Sequence, residues 1–455
     1  LGVIRRPGKD GNTRAVVEGD HNNFAPRFGF AYQATPKFVV RGGYGIFYSL
    51  REQNDEATLI GDTVLNFALI NMPQVNPQTT VVPPIRFTTP INVVSAVDPF
   101  FSAFDAENPL SSDAGSANAP DIGNSESPML QQFNLSLQYE FQPGLLVEGA
   151  YAGARGIRWV QRVNVNQVRF EDALAGRNRI ADRPFPFINS AIGIDSSNVN
   201  NWYNSFNLRV ERRFSQGLTF LANYTFSKNL DSGNSGTSTF SSQNNVVAMD
   251  TYNLWRERGL SPTDIPHKFV LSALYELPFG PGKAFLSDGV PSAILGGWQV
   301  NGILSLVSGF PTETNVTSLP PVLTLRNRPD VVPGQPTVVD NPGFDQYFNP
   351  AAFALPPTVP NHLGAPIQTF GNAGRNIIRG PGSRNLDFSV FKSFRTSEAT
   401  SLQFRAEAFN LTNTPTFILP SARSAALTVG NASFGKLAGS GSVGRQLQFG
   451  LKFLF

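Results

Sequence analysis

The residues that could do chemistry are few and scattered. Histidine occurs 3 times, at His21, His267 and His362, each in or beside a loop-like segment. Cysteine is absent, which removes thiol nucleophiles, disulfides and thiolate metal ligands together. Without an H-E-x-x-H spacing either, no metal site is expected. Gly439-Ser440-Gly441-Ser442-Val443-Gly444 satisfies G-x-G-x-x-G. That motif holds a pyrophosphate only where a strand hands over to a helix N-terminus; here it precedes a strand and reads as a loop. Asp105, Glu107, Asp113, Asp121 and Glu126 offer oxygen ligands within one segment, but their spacing is not that of a calcium loop, and a solvated loop is the plainer reading. SGNSGTSTFSSQNN reads as a disordered polar loop rather than catalytic machinery. No nucleophile, base and orienting group share a local motif. Neither an enzyme nor a bound cofactor is expected.

The charges that do sit on periodic segments are Arg209, Glu211, Arg213, Arg405 and Glu407. In YNSFNLRVERRF the first three alternate with Phe206, Leu208 and Val210, so a strand would place them on the face opposite the apolar one. Such strands are plentiful. QQFNLSLQYEF puts Phe133, Leu135, Leu137, Tyr139 and Phe141 on one side and Gln132, Asn134, Ser136, Gln138 and Glu140 on the other. PRFGFAYQA, KFVVRGGYGIFYS, GLLVEGAYAG, LTFLANYTFSK, HKFVLSALYEL, GWQVNGILSLVSG, RNLDFSVFKSF and SLQFRAEAFN behave alike. With the final segment this makes about eleven strands of roughly 9–12 residues, the length a tilted strand needs to cross a bilayer.

Composition agrees with that geometry. Charged residues are 15% against 41% hydrophobic, and charge is well below the usual soluble proportion of about a quarter. Yet no run approaches the ~18–20 apolar residues of a membrane helix. A net charge of +3 is near balance, and without a Lys/Arg run nucleic acid is not an expected partner. Gly (41) and Pro (35) gather between the periodic segments, where they punctuate turns.

The connections alternate in length. Tight turns join Ala34 to Lys37, Phe141 to Leu145, Phe214 to Leu218 and Phe394 to Ser401. Long links run from Ser49 to Met129, Arg155 to Asn201, Asn229 to Ile265, Phe310 to Ser383 and Leu411 to Val443. The link from Pro278 to Gly296, on the short side, is intermediate. Antiparallel order collects the short turns at one end and the long loops at the other, the asymmetry of an outer-membrane barrel. In such a barrel the apolar face meets lipid and the polar face lines the lumen. The closing row Leu447, Phe449, Leu451, Phe453 and Phe455 then belongs to a final strand ending at the periplasmic interface.

That terminal aromatic strand resembles the assembly signal read by the barrel-insertion machinery. NFAPRFGFAY, YNSFNLRVERRFSQGLTFLANYTFSKNLD, HKFVLSALYELPFG and FRAEAFNLTNTPTF resemble the C-terminal barrel region of TonB-dependent receptors, the Oar-like subgroup above all. Phe409-Asn410-Leu411-Thr412-Asn413 is similar to the asparagine-containing end of that family's penultimate strand. The resemblance implies an all-β, antiparallel up-and-down transmembrane barrel of about 22 strands around an N-terminal plug. Roughly half the strands are here, with no segment legible as plug, TonB box or regulatory-like domain. Residues 1–455 are therefore expected to be the C-terminal portion of the barrel, a complete smaller barrel being the alternative.

The resemblance implies ligand uptake across the outer membrane of a Gram-negative bacterium. Outer-membrane lipid, the assembly machinery, the TonB complex acting through the plug, and an unidentified ligand are the implied partners. Lumen-facing Arg209, Glu211, Arg213, Arg405 and Glu407 could then touch plug or substrate, or simply form an internal salt-bridge ladder. Two other functions compete: a passive porin or surface-display barrel, and a secreted soluble β-protein that binds polysaccharide.

Overall fold

Eleven strands hydrogen-bond in chain order into one antiparallel sheet. The computed structural model describes residues 19–49, 117–120, 126–186, 191–233, 248–324, 326–396, 400–421 and 424–455. The wall strands are β1 (Arg27–Thr35), β2 (Phe38–Tyr48), β3 (Met129–Gln142), β4 (Leu145–Asn164), β5 (Ile192–Ser215), β6 (Leu218–Asp231), β7 (His267–Glu276), β8 (Trp298–Val307), β9 (Ser383–Arg395), β10 (Ser401–Phe409) and β11 (Gln446–Leu454). Every segment that alternates in the sequence is one of these strands. Two short pieces join the sheet besides: Gly259–Leu260 pairs with the end of β6, and Ala117–Pro120 runs parallel to the start of β5. The acidic residues Asp105, Glu107, Asp113 and Asp121, and all but the first two residues of SGNSGTSTFSSQNN, lie outside the described residues.

Turn chemistry fixes the short end. Gln216 and Gly217 carry φ of 53° and 82°, the paired positive values of a two-residue hairpin turn whose twist matches its strands. The link between β7 and β8 stays at this end and folds into a short helix, α1 (Gly289–Leu295). Lys392 on β9 donates to the Ala293 carbonyl at its C-terminal end, 2.9 Å away, where a cation complements the exposed carbonyl groups.

Two strands are longer than alternation suggests. β4 has 20 residues and β5 has 24, whereas a tilted strand crosses the hydrocarbon in about 9–11. Their pairing continues past the membrane to Asn164 and Gly193, so the link between them is shorter than the Arg155 to Asn201 that alternation predicts and runs only over residues 165–191. Bulges between Gly156 and Val160, with Arg158 at φ 63°, shift the side-chain parity and hide the extension from a period-two reading.

Exposure across the wall is inverted relative to a soluble sheet. Ser205 is 4% exposed and its neighbour Phe206 47%. Ser136 lies buried between exposed Leu135 and Leu137, and Ser227 beside exposed Phe226. A curved sheet crowds side chains on its concave side, so the polar row faces inward and the apolar row outward. Buried apolar clusters occur instead in the loops: Val316, Phe348, Phe353, Ile378, Leu427 and Phe434 form one, and Val168, Ala173 and Val322 another. Each such large side chain contributes about 1.5–3 kcal/mol on burial, so the loops have a core of their own.

The penultimate strand stops for a local reason. Asn410 and Asn413 adopt φ of 49° and 52°, the left-handed region that asparagine tolerates better than most residues. Asn410 N–H donates to Asp387 Oδ1 at 2.8 Å, and Asn413 Oδ1 accepts from the Arg445 N–H at 2.9 Å. The two asparagines reverse the chain and fasten it to β11's entry.

Candidate functional site

The long loops do not splay. The described residues 165–186, 248–266, 308–324, 326–382, 410–421 and 424–445 interlock at one end of the wall, and the interlock is electrostatic at its centre. Glu257 ends a short 3-10 turn at Leu254–Glu257 and is sealed from solvent. It forms salt bridges with Arg326 and, at 3.4 Å, with Arg328. Arg326 reaches Glu313 at 2.7 Å, and Glu257 Oε1 also accepts the Met249 N–H at 3.0 Å. Burial alone would push Glu257 up, but the two guanidinium groups and that N–H more than reverse it and hold the carboxyl below its ordinary range. Arg326 is likewise held above its usual value: burial disfavours its charge, and Glu313 and Glu257 overcome that.

Further ion pairs tie this centre to the wall. Arg375 pairs with Asp231 at the end of β6 and donates Nε to the Glu257 carbonyl at 2.7 Å. Arg379 pairs with Asp264 and donates to the Gly309 carbonyl at 2.6 Å. Neutral contacts complete the body: Asn164 Nδ2 donates to the Leu323 carbonyl (2.7 Å), and the Thr324 hydroxyl to the Met249 carbonyl (2.7 Å). An open pocket of about 580 Å³ lies between residues 346–355 and 429–434, lined by Phe353, Leu355, Val429 and Phe434 with Gln346 and Asn431 at its polar side. Among the described residues no three His, Cys, Asp or Glu side chains converge on a metal position.

Arg209 and Glu211 on β5, and Arg405 and Glu407 on β10, lie in register on the face opposite the apolar row, and the five charges singled out on the strands do not form one cluster. Arg209 Nη2 pairs with Glu211 Oε2 at 2.6 Å, both partly exposed. Arg213 sits at the short-turn end, its N–H on the Gly144 carbonyl at 2.8 Å. Arg405 lies strands away on β10, its guanidinium 5.2 Å from the Phe391 ring and its Nε on Gln403 Oε1 at 2.8 Å. Glu407 faces Ser389 and Gln448 across the sheet. Phe449, Phe453 and their companions on β11 are exposed, Phe449 stacking on Phe404 at 6.5 Å and Phe453 on Phe455 at 6.3 Å. His267 meets the Tyr224 hydroxyl at 2.8 Å on the wall, while the His362 N–H donates to the Leu174 carbonyl in the loop body.

The charged centre of the loop body was not legible beforehand. Its trace in the sequence is the arginines of LRNRPD and GRNIIRG, in long loops where charge is otherwise sparse; apart from Glu313, 13 residues from Arg326, their acidic partners are distant in the chain.

Comparison with known proteins places the wall. Residues 1–448 match the family model described as an outer membrane beta barrel domain. No curated protein matches. The outer membrane transporter YddB from Escherichia coli is similar with a TM-score of 0.45 at 9% identity, over 94% of this chain and 40% of that one. The ferric preacinetobactin receptor BauA from Acinetobacter baumannii gives 0.42 at 10%, over 95% and 36%. The ferric-catecholate import receptor Fiu from E. coli gives 0.40 at 11%, over 94% and 34%. The chain thus spans well under half the length of each. With the family model covering nearly its whole length, the chain belongs to the outer-membrane β-barrel domain family and is a protein of the outer membrane.

Proposed function

We propose that residues 1–455 form the C-terminal wall and extracellular loop body of a TonB-dependent transporter, which takes up a ligand with energy coupled through a plug contributed by another part of the protein. One observation carries the reading. Among the described residues β1 and β11 each have a single neighbour, so the edges of the described sheet do not meet. A barrel in hydrocarbon must close, and bacterial single-chain barrels have even strand numbers, so the eleven wall strands among the described residues call for more. The resemblance of FRAEAFNLTNTPTF and its companion segments supports the receptor type and, within it, the Oar-like subgroup. In this reading the loop body, on the long-loop and hence extracellular side, makes first contact with ligand, and the inward Arg209–Glu211 pair hydrates the wall beside the plug. The outward apolar rows argue against the soluble, polysaccharide-binding alternative.

Planar-bilayer recording of the full-length protein tests the proposal against the passive porin. A plugged transporter stays closed at modest voltage and opens only when denaturant loosens the plug. A steady open-channel conductance in untreated protein would overturn it.

A further inference from the structure

The outward face changes character abruptly near the loop end. One cross-strand row carries Leu135, Tyr151, Phe206, Phe226 and His267 in register on β3 to β7. Moving two residues toward the loops, about 7 Å, brings Asn204 opposite Lys228. The next step brings Arg155 opposite Trp202, and Trp202 opposite Leu230. Leu230 pairs with Leu260, and Arg258, two residues before Leu260, shares that face. Its guanidinium lies 5.4 Å from the Trp202 ring and 4.9 Å from that of Trp255, which is 73% exposed.

The charge on this patch is one-sided. Arg155, Lys228 and Arg258 stand within these rows, and neither row holds an acidic residue. The nearby carboxylates are committed elsewhere: Asp231 to Arg375, Asp264 to Arg379, Glu257 to Arg326 and Glu126 to Arg158. Among the described residues none pairs with the three cations. An indole prefers the boundary between hydrocarbon and headgroups, and basic side chains just above an apolar belt attract lipid phosphate.

We propose that Arg155, Lys228 and Arg258, arrayed around Trp202 and Trp255, bind the phosphate headgroup of an outer-leaflet lipid. The aromatic row Tyr151, Phe206 and Phe226 directly beneath seats the acyl chains, so occupant and belt are continuous. The site is on the outside of the wall and is independent of what the lumen carries.

The test uses full-length protein in zwitterionic nanodiscs, titrated with bisphosphorylated lipid A and read by native mass spectrometry. Changing Arg155, Lys228 and Arg258 together to Gln should weaken retention about a hundredfold, roughly a factor of five per cation. Arg209→Gln on the inward face should leave it unchanged, and heat-modifiable gel mobility confirms that each variant is folded. Equal retention by the triple variant overturns the site. Equal binding of dephosphorylated lipid A overturns phosphate recognition, and displacement by millimolar inorganic phosphate overturns a lipid in favour of a soluble anion.

Discussion

Glu257 and Arg326 form a salt bridge inside the loop body, their side chains 1% and 5% exposed. Their separation of 69 residues in the chain makes this pair the clasp between two loops that share no strand. Removing one partner of a buried pair strands the other charge and costs about 3–5 kcal/mol. Glu257→Gln should therefore open the loop body while the wall persists. Hydrogen exchange should quicken at Met249, whose N–H donates to Glu257, and across residues 313–328, with β5 and β6 unaffected. Unchanged protection in those loops would show that the apolar clusters alone hold them.

Acid should do the same as that substitution. Glu257 is held below its ordinary value of 4.5 in the folded protein; unfolded, it returns to that value and binds the proton more readily. The pair's stabilisation is thus complete above the ordinary carboxylate range and drains away as pH falls below it through the folded pKa. Loop protection measured from neutral pH downward should stay flat and then fall in that acidic window. Glu257→Gln should remove Glu257's contribution to the fall. An equally steep fall in the variant would assign the transition to other carboxylates.

Leu208 sits midway along the crossing part of β5, on the outward face with Phe206. Arginine on the lipid side at the midplane destabilises a barrel by about 2–4 kcal/mol, so Leu208→Arg should unfold at distinctly lower guanidinium concentration in vesicles. Asn207→Arg, one residue away on the inward face, should change little. Spin labels at Leu135, Leu208 and Phe449 should collide with dissolved oxygen in the acyl region and not with aqueous nickel complexes. The reverse ranking or a dry, oxygen-poor environment would mean the apolar face packs against protein.

How much was readable in advance follows from where the physics is local. Alternation depends on neighbouring residues, so each wall strand is visible in a window such as QQFNLSLQYEF. Turn length depends on a few residues, so which end is short is visible too. The outer half of β4 and β5 was hidden because the two register shifts between Gly156 and Val160, beside Arg158, switch parity. The loop body was hidden for a different reason: Glu257, Arg326 and Arg375 meet through tertiary packing that leaves no period in the sequence. Asn410 and Asn413 are intermediate, since resemblance pointed to them and only their left-handed backbone explains why asparagine is there.

Gly217 offers a cleaner local test. Its φ of 82° lies in the left-handed region, and a Cβ there would come within 3.0 Å of the Glu276 carbonyl oxygen. A left-handed L-residue costs about 1–2 kcal/mol, and the close carbonyl adds to that. Gly217→Val should lower the guanidinium midpoint, whereas Gln216→Asn, also at positive φ, should hold or raise it. A neutral Gly217→Val would mean the hairpin can adopt another turn.

The terminal row separates stability from assembly. Phe455 follows the last residue of β11 and is almost wholly exposed, so its side chain buries little that the fold requires. If the row Leu447, Phe449, Leu451, Phe453 and Phe455 is read by the insertion machinery, deleting Phe455 should sharply reduce outer-membrane levels in cells. The same deletion should leave refolding of purified full-length protein into detergent or vesicles nearly unchanged. Phe453→Ala, which also removes a ring from the outward face, should add a modest stability loss to the assembly defect. Equal impairment of both processes by the Phe455 deletion would make the residue a structural closing element instead. Intact levels in cells would remove it from the recognition step altogether.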